Sequence, residues 1–352
     1  VISVLVVDDS VVIRRLVTDA LGSDPRVRVV GTAPNGRVAL QKIDQLKPDL
    51  VTLDVEMPVM DGVTAAREIR LRHPKLPIIM FSTLTSSGAE ATLAALSAGA
   101  SDYVTKPSNF GSVAESVRSV REELLPRIHA LCERPRPMAA PPPVRRPAGG
   151  GPRPARGQTR VVVVASSTGG PTALRQVLRG LPARLSVPIV VVQHMPPVFT
   201  GMLAQRLDTE NAVRVVEATD GMILEPGTVY IAPGDRHLEV AGAGKMVKTR
   251  LHDGPKENHC RPAADVLFRS AARVYGNSAL AVVLTGMGRD GAEGCRALSA
   301  AGAQVLAQDQ ASSVVWGMPG AVVEAGLADA VVPLGGMADR ILSALPVPEV
   351  AS

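Results

Sequence analysis

Aromatic side chains are scarce in this sequence, with one Trp, three Tyr and four Phe among 352 residues. A groove that stacks single-stranded bases interleaves aromatics with basic residues, and no such stretch exists here. Cysteine is scarcer still. Cys132, Cys260 and Cys295 stand far apart, without metal-ligand spacing or the even count of a disulfide framework. Each reads as a buried or idle thiol. No run approaches the ~18 consecutive apolar residues of a membrane span, although hydrophobic residues make up 46% of the chain. Membrane insertion is therefore not expected. A basic n-region followed by an apolar core and a small-residue cleavage site is also missing, and the expected location is cytoplasmic.

One stretch lacks acid altogether. Between Arg134 and Arg160 there are seven arginines and no Asp or Glu, which outweighs the whole net charge of +5. The basicity belongs to that segment alone. Neither flank offers a helix-turn-helix or a basic face, so nucleic acid is not an expected partner. The same segment carries Pro141, Pro142, Pro143 and the run Gly149 to Gly151. Such composition buries too little apolar surface to fold and reads as a semi-extended tether. Length also favours two domains over one. The expected division is residues 1–122, a helical extension and linker over 123–159, and a larger domain over 160–345.

Both flanks alternate strand and helix patterns, the signature of α/β domains with parallel sheets and crossover helices. In the first, Val4 to Val7, Leu50 to Leu53, Ile78 to Phe81 and Tyr103 to Thr105 read as buried strands. Polar residues follow each one: Asp8, Asp9 and Ser10, then Asp54, then Ser82 and Thr83, then Lys106 and Pro107. In an open parallel sheet these strand ends share one edge, where ligands bind. In the second flank the strands are Val161 to Ala165, Ile189 to Gln193 and Leu280 to Leu284. Gly227 to Pro233 and Leu238 to Val240 are expected to pair as an antiparallel hairpin, making that sheet mixed.

Asp8, Asp9 and Asp54 gather hard oxygen ligands suited to Mg²⁺. An aspartate that accepts a phosphoryl group needs such a metal, a hydroxyl such as Ser82 and a cation such as Lys106 around the transferred oxygens. A lone strand-end Asp would be a solvated residue; the full set in this order argues for a phosphate switch. Pro107 is expected to fix the turn after Lys106 through a cis bond. The stretches Val-Val-Asp-Asp-Ser, Asp-Val-Glu-Met-Pro-Val-Met-Asp-Gly, Phe-Ser-Thr-Leu-Thr and Thr-Lys-Pro make residues 1 to about 122 similar to a response-regulator receiver domain. The resemblance implies a flavodoxin-like fold and phosphorylation on Asp54. It also implies Mg²⁺ held by Asp8, Asp9, Asp54 and the carbonyl of Glu56, with Ser82 and Tyr103 as the switching pair. Phosphate on Asp54 would draw the Ser82 hydroxyl inward and let Tyr103 follow.

The second flank carries a different chemistry. Serine becomes a nucleophile when a base takes its proton and preset donors meet the oxyanion. Ala165-Ser166-Ser167-Thr168-Gly169 places Ser167 at the centre of a small-x-Ser-x-Gly elbow, with Gly170 and Pro171 opening a helix. The doubled serine leaves Ser166 as an alternative. His194 directly follows a strand and suits a general base, although an isolated His is more often structural. Asp290, among Gly286, Gly288 and Gly291, could accept from the other ring nitrogen, or be a simple turn residue. The order Ser, His, Asp differs from that of α/β-hydrolases.

The stretches Ala-Ser-Ser-Thr-Gly-Gly-Pro, Gln-His-Met-Pro-Pro-Val-Phe-Thr, Tyr-Ile-Ala-Pro-Gly-Asp-Arg-His, His-Asp-Gly-Pro, Asp-Val-Leu-Phe-Arg-Ser, Leu-Thr-Gly-Met-Gly-Arg-Asp-Gly and Trp-Gly-Met-Pro make residues 160 to 345 resemble the catalytic domain of the chemotaxis protein-glutamate methylesterases. Carried over, the triad is Ser167, His194 and Asp290, with backbone N–H groups of Thr168 and Met287 as oxyanion candidates. The resemblance implies a phosphorylation-activated serine hydrolase for glutamate γ-methyl esters on chemoreceptors, with glutamine deamidation as a second activity and no cofactor for the ester reaction. A chemotaxis histidine kinase would donate the phosphoryl group. The tether is a candidate contact for a receptor tail or a methyltransferase. Two departures stand out: Val164 and Ala165 where the family usually has Gly, and Ala263 where it often has Ser or Thr. Competing readings are a partner-binding output domain without catalysis and an anion cradle at Ser-Thr-Gly-Gly, which lacks a P-loop lysine.

Overall fold

The computed structural model describes residues 1–107, 112–132, 157–244 and 246–346. Nearly all of the Pro/Gly/Arg-rich tether lies outside the described residues. The chain divides into two compact units, residues 1–134 and 135–352. Among the described residues no helix is long and apolar enough to cross a membrane.

The first unit alternates β1 (Ile2–Val7), α1 (Val11–Leu21), β2 (Val27–Ala33), α2 (Gly36–Leu46), β3 (Leu50–Asp54), α3 (Gly62–Arg72), β4 (Ile78–Ser82), α4 (Ser86–Ser97), β5 (Asp102–Thr105) and α5 (Val113–Cys132). The strands lie in the order β2-β1-β3-β4-β5, every pair parallel, as the sequence predicts. β3 and β4 are buried on both faces, which is why they read as unbroken apolar runs. Four helices start on side-chain caps supplied by the turns: Ser10, Asn35, Asp61 and Thr85 each accept from a backbone N–H three residues on. α5 continues past position 122 to Cys132, and its Leu124 and Ile128 are fully buried in the core of this unit with Val4, Val6 and Ile79.

The second unit contains β6 (Val161–Ser166), α6 (Gly170–Arg179), β7 (Ile189–Gln193), α7 (Phe199–Glu210), β8 (Arg214–Glu217), β9 (Thr228–Ile231), β10 (His237–Ala241), β11 (Lys248–His252), α8 (Ala264–Tyr275), β12 (Ala279–Val283), α9 (Ala292–Ala300), β13 (Gln304–Gln308), α10 (Met318–Glu324), β14 (Ala330–Val332) and α11 (Met337–Leu342). Seven strands form one sheet in the order β14-β13-β12-β6-β7-β9-β8, and all its pairs are parallel. The expected hairpin is real, but its members differ. β9 is a buried strand of the main sheet, and β10 pairs with β11 in a separate two-stranded ribbon. The sheet is thus not mixed. Both edges of β9 are already taken by parallel partners, β7 and β8, so β10 has no edge of β9 to pair with. In the turn after β9, Gly234 packs so tightly on Pro196 and Pro197 that an added Cβ would lie 2.2 Å from Pro197 N.

Both sheets have a point where the strand order reverses, between β1 and β3 and between β6 and β12. At such a point the following connections leave in opposite directions and open a crevice at the carboxyl edge. Gly234→Ala should destabilise the second unit by roughly 1–3 kcal/mol, because the obstacle is backbone and has little room to yield. Denaturant unfolding of the full chain measures this; an unchanged midpoint would contradict the tight packing of Gly234 on Pro196 and Pro197.

Candidate active site

At the first crevice, Lys106 reaches both carboxylates, with Nζ 2.7 Å from Asp54 Oδ1 and 2.9 Å from Asp8 Oδ2. Asp54 Oδ1 also accepts from the Val55 N–H at 2.7 Å. Burial pushes the Asp54 pKa up to about 6, Lys106 pulls it down, and the charge of Asp8 pushes it up again. Lys106 itself is held above its ordinary value, since burial is outweighed by its two carboxylate partners. Arg14 fixes the loop by donating to the carbonyls of Asp8 and Asp9 at 2.7 and 3.0 Å. Ligand oxygens of Asp8, Asp9 and Asp54 all lie within 4.8 Å of one another. The buried Asp8 Oδ2 has the Lys106 charge nearby but receives no well-directed hydrogen bond. An open carboxylate oxygen in an all-oxygen, net acidic cluster fits a hard divalent cation. Asp9, Asp54, Glu56, Ser82 and Lys106 border a cleft of about 200 Å³. The Ser82 hydroxyl donates to the Gly88 carbonyl at 3.0 Å, and Tyr103 is already buried at 8% exposure. Lys106 is positioned by its N–H to the Ser82 carbonyl and by its ion pairs. The expected cis bond before Pro107 is absent; among the described residues the cis peptide is Arg261–Pro262.

The second crevice collects the ends of β6, β7 and β12. Ser166 and Gln193 are paired in register, so Ser167 and His194 sit one residue past neighbouring strand ends. The two serines have different environments. Ser166 is fully buried and donates to Gln193 Oε1 at 2.6 Å, whereas Ser167 is only half-buried. The Gln193 amide then donates to the carbonyls of Ser167 and His194, locking both turns. Gly170 leaves the space Gln193 needs, since a Cβ there would lie 1.9 Å from Oε1. The Ser167 N–H donates to the Thr285 carbonyl at 3.0 Å, tying β6 to the end of β12. Gly286 abuts Ser167 closely, with an added Cβ only 2.8 Å from Ser167 Cβ. The Met287 N–H beyond it has no acceptor among the described residues. Thr168 is buried, and its carbonyl accepts from the Thr285 hydroxyl at 3.0 Å.

His194 Nε2 meets Asp290 Oδ2 at 2.7 Å. That carboxylate is buried at 2% exposure and collects four further donors. Ala264 N–H reaches Oδ2 at 2.6 Å, while Asp265 N–H, Gly291 N–H and Asn258 Nδ2 reach Oδ1 at 3.0–3.1 Å. Two of these are first-turn amides of α8, whose N-cap residue Ala263 makes no side-chain cap. Asp290 therefore caps α8 from a distant loop, and the helix dipole favours its negative charge. Burial opposes ionisation of both partners. It is outweighed at Asp290 by His194 and the α8 amides, which hold the carboxyl below the usual range. The Asp290 and Cys260 side chains likewise hold the His194 pKa above its ordinary 6.5.

The structure thus joins His194 to Asp290 and sets Ser167 on the adjacent strand end, with no hydrogen bond between Ser167 Oγ and the imidazole among the described residues. The group on the remaining ring nitrogen is the thiol of Cys260, with Sγ 3.6 Å from Nδ1. Cys260 is half-exposed; of the three thiols only Cys295 is fully buried. Asn258 and Cys260 touch the His194–Asp290 pair without a motif that marks them, and Gln193, inside a quoted motif, was given no role by the sequence.

Residues 162–341 match the CheB methylesterase family, and residues 4–118 match the response regulator receiver domain family. A protein-glutamate methylesterase/protein-glutamine glutaminase of Nocardioides sp. is 56% identical, covering 98% of this chain and 95% of the relative. The chain belongs to the CheB methylesterase family. Another protein of that name, from Trichodesmium erythraeum, is 47% identical over 96% of this chain and 97% of its own length. The crystal structure of the Thermotoga maritima CheB methylesterase catalytic domain aligns with a TM-score of 0.52 and 44% identity, covering 53% of this chain and 98% of that one. In this CheB-family chain the strand-end Ser, His and Asp fall within the residues matched to the methylesterase family.

A base must be neutral to accept a proton, so the raised His194 pKa has a direct consequence. The reaction rate of the site with a fluorophosphonate serine probe should rise with pH with a midpoint above 6.5. A midpoint at or below that value would contradict the reading of the His194–Asp290 pair.

Proposed function

We propose that this chain hydrolyses glutamate γ-methyl esters on chemoreceptors and deamidates glutamine side chains, under control of phosphorylation at Asp54. The observation that carries the reading is the buried His194–Asp290 pair at 2.7 Å beside a half-buried serine at the strand-order reversal. With Nε2 committed to Asp290, Nδ1 is the nitrogen left to act as base. As substrate seats, Ser167 Oγ replaces the Cys260 thiol at Nδ1, gives up its proton and attacks the ester carbonyl. The oxyanion is met by the N–H of Met287, with Thr168 as the second donor. His194 returns the proton to the methoxy oxygen and methanol leaves. Water, deprotonated in turn by His194, attacks the acyl-enzyme, and the carboxylate of glutamate departs as Ser167 regains its proton. A glutamine amide follows the same path with ammonia as the leaving group.

In the first unit a chemotaxis histidine kinase is the phosphodonor and Asp54 the acceptor. Asp8, Asp9, Asp54 and the Glu56 carbonyl are the groups that would hold Mg²⁺, which supplies charge neutralisation for the incoming phosphoryl group. Lys106 orients Asp54 through its ion pair, and Ser82 exchanges its Gly88 partner for a phosphoryl oxygen.

Methanol release from methylated receptor membranes, with and without a small phosphodonor, tests this. Ser167→Ala should lower the rate by about 10⁴-fold or more, whereas Ser166→Ala should retain activity within about tenfold, losing one buried hydrogen bond of about 1 kcal/mol. Asp54→Asn should abolish stimulation by the phosphodonor. Full activity in Ser167→Ala would move the nucleophile elsewhere.

A further inference from the structure

One side-chain amide lies between two buried carboxylates at the base of the active site. Asn258 Nδ2 donates to Asp290 Oδ1 at 3.1 Å and to Asp265 Oδ2 at 2.9 Å. The orientation is forced, because the amide oxygen turned this way would face two anions. Asp265 is buried at 3% exposure, and its other oxygen accepts the Gly294 N–H at 2.6 Å in the first turn of α9. A chain of groups thus runs from α9 through Asp265, Asn258 and Asp290 to the His194 imidazole.

Asn258 and His259 both adopt left-handed φ values, +50° and +64°, a region that Asn and His enter more readily than other non-glycine residues. The turn is closed by paired backbone hydrogen bonds between Glu257 and Cys260 and is anchored to α8 by the Arg269–Glu257 ion pair at 2.6 Å.

We infer that Asn258 is a positioning residue for the hydrolytic reaction: its amide separates Asp265 from Asp290 and lets Asp290 stay ionised and aimed at His194. The inference rests on the proposed Ser167, His194 and Asp290 triad. Two carboxylates sharing a dry site cannot both ionise without donors between them. Burial and the charge of Asp290 raise the pKa of Asp265, while that of Asp290 stays low. The groups facing this pair are His194, Arg269 with Glu257, and the thiols Cys260 and Cys295.

Asn258→Ala removes both hydrogen bonds and should lower kcat for methanol release by about 10- to 100-fold with KM within about twofold, as expected for misalignment of the base. Without the amide, Asp290 takes up a proton at higher pH and becomes a stronger acceptor for the imidazolium, so the acid limb of the pH–rate profile moves upward. A merely structural residue would not shift that limb. In the Asp290→Ala background the second substitution should add almost nothing, because both act on one unit. Rates are normalised to folded protein by thermal unfolding. If the alanine variant does not fold, Asn258→Asp replaces it, and a third carboxyl there should raise the limb further. Parental kcat and pH profile in the Asn258 variant, or additive losses in the double variant, would overturn the inference and leave the triad intact. Parental kcat in Asp290→Ala alone would overturn the triad reading and the inference together.

Discussion

The second unit is organised around the carboxylate of Asp290. Five donors converge on its two oxygens: an imidazole, a side-chain amide and three backbone N–H groups. Two of the backbone groups open α8, so the same charge that fixes the histidine also starts a helix, with no cap from Ala263. Removing one partner from a buried pair of this kind leaves an uncompensated charge, at a cost of about 3–5 kcal/mol. Stability and chemistry are therefore set by one group, and Ser167, His194 and the Met287 loop are arranged around it by the ends of β6, β7 and β12.

The first unit solves a related problem with the signs reversed. There two buried carboxylates, Asp8 and Asp54, face a single cation, and Lys106 bridges them. Burial alone would favour a protonated Asp54, and Lys106 draws it back toward the anion that a phosphoryl acceptor must be. In both units the reacting groups lie where the strand order reverses, because only there do adjacent loops diverge enough to leave a crevice. One fold rule thus places two unrelated chemistries.

Much of this was legible in the sequence, because the information is local. Unbroken apolar runs such as Leu50–Leu53 and Val161–Ala165 announce parallel strands covered on both faces, and the polar residue after each run announces the active edge. That logic singled out Ser167, His194 and Asp290, which follow strands that lie side by side in the sheet. What was not legible depends on contacts across long sequence separations. β10 pairs with β11 because β7 and β8 already occupy both edges of β9, an arrangement no periodicity reports. Asn258 and Cys260 enter the site through a turn in which Asn258 and His259 adopt left-handed backbone conformations, which no hydrophobic periodicity announces. Ser166 and Ser167, equivalent in pattern, are separated by burial and by the Gln193 amide.

The proposed chemistry depends on which imidazole nitrogen of His194 faces the carboxylate. The most direct measurement is ¹⁵N–¹H NMR of the full chain labelled at histidine, with His194 assigned among the six histidines by a His194→Gln variant. Above its pKa, His194 should carry its proton on Nε2, with that proton shifted downfield by Asp290, and Nδ1 should have the signature of a free lone pair. A proton on Nδ1 and an unprotonated Nε2 would contradict the account, because Asp290 would then have no hydrogen bond to receive and Nδ1 could not serve as the base.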